Sequence, residues 1–79
     1  MSVIKAVLIE DKEKEKEMRL FPDRQLLYWD VSVREKTGVY WYYQMHFISI
    51  MDLVYKAGRD GLVVRIRYQD EEIEKDVKL

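Results

Sequence analysis

Apolar and polar residues alternate with a period of two along much of the chain, and that period predicts strands. Residues 2–9 place Val3, Val7 and Ile9 on one face of an extended segment and Ile4, Ala6 and Leu8 on the other. Apolar side chains on both faces predict burial on both sides, or a twist that changes which face is covered. Residues 18–21 read as a short strand. Pro22, Asp23 and Arg24 then form a turn, because proline fixes φ and the aspartate can bond its own backbone. Residues 25–33 give the clearest strand, with Leu27, Trp29, Val31 and Val33 facing inward. Tyr28, Asp30, Ser32 and Arg34 share its outer face. A polar hairpin loop follows over residues 34–38, with Gly38 available for positive φ.

Residues 39–47 predict a long strand. Val39, Trp41, Tyr43, Met45 and Phe47 line its inner face, and Tyr40, Tyr42, Gln44 and His46 the outer one. The alternation breaks over Ile48, Ser49, Ile50, Met51 and Asp52, which suits a bend, a bulge or a single helical turn. A strand resumes over residues 53–56, and residues 57–61 form a loop with two glycines. The next strand points Leu62, Val64, Ile66 and Tyr68 inward and Val63, Arg65, Arg67 and Gln69 outward. Residues 72–79 fit a strand or a helix, since Ile73 and Val77 are spaced for either. A strand is favoured, because eight residues make a marginal helix. The sum is one domain over residues 1–79, all-β, with about seven antiparallel strands. So many strands protect their edges by closing into a small barrel.

Composition agrees with this class. Valine and isoleucine occur fifteen times and aromatic residues ten times, against two alanines. β-Branched and aromatic side chains suit a pleated surface. A chain of this length buries only about 60% of its extended surface, so the core is thin. There is no cysteine, which excludes disulfides and thiolate zinc sites. There is no asparagine, and 37% of the residues are charged. Such a composition resembles that of hyperthermophile proteins, in which surface ion pairs gain value with temperature. No apolar run approaches a membrane span, and the first apolar segment has no signal-peptide flanks, so a cytoplasmic location is expected.

The net charge of −1 argues against a dedicated nucleic-acid binder. Charge is balanced locally as well. Lys12, Lys14 and Lys16 alternate with Glu13, Glu15 and Glu17, which predicts a solvated hairpin tip rather than an anion pocket. Residues 69–79 hold five acids and two lysines, with no glycine to shape a cation loop.

The stretch Ile48, Ser49, Ile50, Met51, Asp52, Leu53, Val54, Tyr55, Lys56, then a glycine loop, then Leu62 through Tyr68 and an acidic turn, resembles the pleckstrin-homology-like superfamily. The match covers residues 48–79, with residues 26–33 as a partner strand. It implies a binding scaffold of seven strands in two nearly orthogonal sheets. Two features depart from that family: the closing C-terminal helix is missing, and no basic phosphoinositide pocket is recognisable. The resemblance therefore implies no particular ligand.

Catalysis is not expected. Ser32 and Ser49 lie in no nucleophile elbow, and the single histidine, His46, sits on the outer face of a strand beside Gln44. No cofactor or metal site is expected. The informative signal is aromatic. Tyr40, Trp41, Tyr42 and Tyr43 are consecutive, so a strand sends two rings to each face. With Trp41 and Tyr43 inside, Tyr40 and Tyr42 are outside, and Tyr28 shares that outer face. Cross-strand pairing accounts for such rings in part. Rigid exposed tyrosines also make good contact residues. The expected function is a non-enzymatic interaction module, with Tyr28, Tyr40, Tyr42 and His46 as contact residues for a protein partner or a second copy. Two other classes stay open: a barrel whose open end admits a small apolar molecule or a lipid, and an enzyme with His46 as its base.

Overall fold

The computed structural model describes residues 4–23 and 27–68, and the backbone of residues 74–77. Among these, the strands are β1 (Ile4–Asp11), β2 (Lys16–Pro22), β3 (Tyr28–Arg34), β4 (Tyr40–His46), β5 (Val63–Tyr68) and β6 (Glu74–Val77). One helix, α1 (Phe47–Arg59), lies between β4 and β5. All six strands belong to one antiparallel sheet of order β4-β3-β2-β1-β5-β6. The first four form a meander. The helix then carries the chain from the outermost strand back to β5, which pairs with the free side of β1.

The turns follow the sequence chemistry. Between β1 and β2 the charged tip is a turn, and the Lys14 amide donates to the Asp11 carboxylate at 3.1 Å. Between β3 and β4 the Gly38 N–H donates to the Glu35 carbonyl at 2.9 Å, and Gly38 takes φ +88°. The turn expected at Pro22, Asp23 and Arg24 lies partly outside the described residues. The last strand, β6, accords with the favoured strand over residues 72–79, and the rest of that segment lies outside the described residues.

The fold is mostly β, and the expected seven-stranded barrel does not form. Among the described residues a single sheet with β4 and β6 at its two edges replaces it, without the closed interior implied by the pleckstrin-homology-like resemblance. The cause is residues 47–59. The strand expected over residues 53–56 and part of the loop expected over residues 57–61 are helix instead. Ile50, Leu53, Val54 and Ala57 recur at i, i+3, i+4 and i+7, one stripe of a 3.6-residue period. Ile50 and Ala57 are buried and Leu53 and Val54 pack beside them. The helix covers one face of the sheet, so the sheet does not have to fold over on itself.

Both ends of α1 are capped. His46 Nδ1 accepts from the Ile48 N–H at 3.2 Å, in the role of an N-cap side chain. At the other end Leu62 N–H donates to the Ala57 carbonyl and Gly61 N–H to the Gly58 carbonyl. With Gly61 at φ +79°, these two bonds make a Schellman motif. Of the two glycines expected in the loop over residues 57–61, Gly58 is helical and Gly61 serves the turn.

The core is one layer between α1 and the sheet. Its buried sheet residues are Val7, Ile9, Leu20, Trp29, Val31, Val33 and Val64, drawn from β1, β2, β3 and β5. In β3 and β5 these match the inward faces read from the alternation; in β1 they show which of its two apolar faces is covered. Leu27 departs from the pattern, being 44% exposed just outside β3. Strand β4 departs more. Trp41 and Tyr43 share the helix-side face with Val33 and Val31, their cross-strand partners, yet are 54% and 39% exposed. They are not core residues, because β4 is the sheet edge and among the described residues no strand lies on its far side.

Candidate functional site

Among the described residues nothing layers over the face of the sheet opposite α1. Register defines its rows, since residues directly opposite one another point to the same face. Tyr42, Ser32, Arg19, Leu8 and Arg65 form one row, and Tyr40, Arg34, Glu17, Glu10 and Val63 the next. Tyr28, Tyr40, Tyr42 and His46 all lie on this outer face, as the alternation predicted.

The four residues do not form one cluster. Tyr40 and Tyr42 are successive outward residues of β4 and are 59% and 67% exposed. Tyr28 is opposite His46 at the other end of the strand pair. Their rings meet edge to face, with centroids 5.4 Å apart. Between the two pairs, the Gln44 side-chain amide donates to Asp30 at 3.0 Å.

His46 is tied to structure on two sides, to Tyr28 by its ring and to α1 by Nδ1. Replacing His46 with alanine should remove the cap and cost about 1 kcal/mol in chemical denaturation. His46→Asn should retain most of that stability, because asparagine is itself a good cap. Equal losses in both variants would show that the cap bond contributes nothing.

The charges on the outer face are largely paired. Arg19 meets Glu17 at 2.7 Å, and Arg65 meets Glu10 at 3.6 Å. A shallow depression of about 140 Å³ is lined by Ala6, Val7, Leu8, Arg19, Phe21, Arg65 and Arg67. A wider cleft of about 430 Å³ lies where the two hairpin loops approach. It is lined by Lys12, Lys16, Arg34 and Lys36 together with Glu10, Asp11, Glu15, Glu17 and Glu35. Four bases against five acids leave its field near neutral, in keeping with the alternating charges of the loop. Among the described residues no group of three or more His, Asp or Glu side chains is arranged to hold a metal ion, and no helix is long and apolar enough to cross a membrane.

A second exposed apolar surface lies outside the residues that the alternation singled out. Besides Trp41 and Tyr43, α1 exposes Phe47, Ile48, Met51 and Tyr55 by 40–65%. Ile48, Met51 and Tyr55 are spaced i, i+3 and i+7, so they form a stripe of their own beside the buried one. A signal was available: residues 37–51 contain no Asp, Glu, Lys or Arg, in a chain that is 37% charged. That run covers all of β4 and the first turn of α1. No known protein family matches this chain, and neither the curated proteins nor the solved structures include a match.

Proposed function

We propose that this chain is a non-enzymatic, cytoplasmic protein-interaction module. Its contact surface is the outer face of β3 and β4, with Tyr40 and Tyr42 as the contact rings and Tyr28 and His46 at the far end. The observation that carries this reading is the exposure of Tyr40 and Tyr42 on a face that nothing in the described chain covers. A tyrosine offers a large, stiff apolar ring with a polar tip, so it loses little entropy on contact. Mounted on a paired strand, the two rings are already ordered before a partner arrives. The ionic composition, free of asparagine and cysteine, supports a protein built for high temperature.

Affinity capture from native lysate tests the proposal. The wild-type chain should retain a partner that the Tyr40→Ala/Tyr42→Ala variant loses. The variant itself should stay folded, with a stability loss of about 1–2 kcal/mol from weakened cross-strand pairs. Capture that is unchanged in the variant would discard this face as the contact surface.

A further inference from the structure

We propose that the free edge of β4 pairs antiparallel with β4 of a second copy of this chain, joining two sheets into one across a two-fold axis. Main-chain geometry shows which groups are on offer. The Val39 carbonyl accepts from the Glu35 N–H at 3.0 Å, and the Phe47 N–H donates to the Leu27 carbonyl at 2.9 Å. Both bonds belong to the register that pairs β3 with β4 residue by residue. Odd-numbered residues of β4 therefore point their main-chain groups at β3. The alternation of an antiparallel ladder turns those of Tyr40, Tyr42 and Gln44 outward, toward the open edge.

Natural edges are guarded by charges, proline, bulges or short length. β4 has none of these guards. It is seven residues long, its register with β3 is unbroken, and it contains no charged residue and no proline. The opposite edge differs. β6 has the sequence Glu-Lys-Asp-Val, and three charged residues in four guard it. Pairing β4 with β6 of another copy would join an uncharged strand to a charged one and would build an open filament. Pairing β4 with itself meets no like charge, because residues 37–51 carry none, and it closes after two copies.

The exposed rings of β4 supply about half the area of a standard interface. At about 150–250 Å² per buried ring, the exposed fractions of Tyr40, Trp41, Tyr42 and Tyr43 leave roughly 450 Å² per copy. A standard interface takes about 800 Å² per partner. Phe47, Ile48 and Met51, which follow directly on β4, supply further exposed apolar surface. Pairing would also account for Trp41 and Tyr43, placing them against their counterparts on the helix side of the joined sheet.

This inference shares β4 with the tyrosine face and rests on β4 being the contact element, but it uses main-chain groups where that reading uses rings. Sedimentation of the full chain from about 1 to about 200 μM should show a dimer. Gln44→Pro removes one outward N–H and the side-chain bond to Asp30, but no main-chain bond of the β3–β4 ladder. It should weaken the dimer at least about tenfold while circular dichroism stays that of the wild type. A wild-type chain that stays monomeric throughout, or a folded Gln44→Pro variant that dimerises equally well, would overturn the pairing. Amide exchange in the wild type avoids any doubt about variant folding. The N–H groups of Tyr40, Tyr42 and Gln44 should exchange more slowly as concentration rises, and exchange independent of concentration would also overturn the pairing. A dimer that persists in Tyr40→Ala/Tyr42→Ala while partner capture is lost keeps both readings. Unchanged capture together with loss of the dimer in Gln44→Pro discards the tyrosine face and keeps the edge.

Discussion

Leu20→Ala should destabilise the chain by about 2–5 kcal/mol, the range for removing a fully buried leucine and leaving a cavity. A chain of this length is expected to have only about 4–12 kcal/mol in total, so the variant sits near the threshold of folding. The effect is large because of where Leu20 lies. It has no exposed surface, and it stands between Val7 of β1 and Val31 of β3 on an interior strand. Its neighbours are held by ladder hydrogen bonds and cannot close the gap. Phe21→Ala provides the contrast, since Phe21 is the next residue, points to the opposite face and is 42% exposed. It should cost less than about 1 kcal/mol, although phenylalanine is the larger side chain. Urea or guanidinium unfolding of both variants checks the pair. A larger loss for Phe21→Ala would mean that the core lies on the other face.

Ile50→Ala should be the second large effect, again about 2–5 kcal/mol, while Ile48→Ala should change stability by less than about 1 kcal/mol. The two isoleucines are two residues apart on α1, yet 3% and 65% exposed. Two residues rotate about 200° around a helix, so one points into the core and the other away. On a strand they would share a face and behave alike. The comparison therefore tests the helix itself as well as its docking. Similar losses at both positions, measured by thermal or chemical unfolding, would favour the extended conformation that the residue types suggest.

The inward faces of β3 and β5 followed from a period of two, because each of those strands has neighbours on both sides and one covered face, whereas β1 is apolar on both faces and its pattern alone did not choose between them. Residues 47–59 were harder. Isoleucine, valine, phenylalanine and tyrosine favour strands intrinsically, but the stripe of Ile50, Leu53, Val54 and Ala57 gains more by burying one helical face. Propensity lost to tertiary packing. The cap at His46 was invisible for the same reason, since a cap has meaning only once a helix is recognised. Trp41 and Tyr43 show a different limit. Alternation tells which side chains share a face, but not whether anything covers it. The position of β4 at the end of the strand order decided that, and strand order is a property of the whole chain. The barrel failed on the same ground: strand number suggested closure, and a helix supplied the cover instead.

The strand order also has a consequence in time. β1 pairs with β2, made directly after it, and with β5, made much later. Val7 and Ile66 are partners separated by 59 positions, from 7 to 66. A ribosome adding about 5–20 residues per second needs roughly 3–12 s to cover that distance. For the part of that interval after β2 is made, the nascent chain can hold β1 by one side only, so the strand that ends up inside the finished sheet is an outer one until β5 arrives.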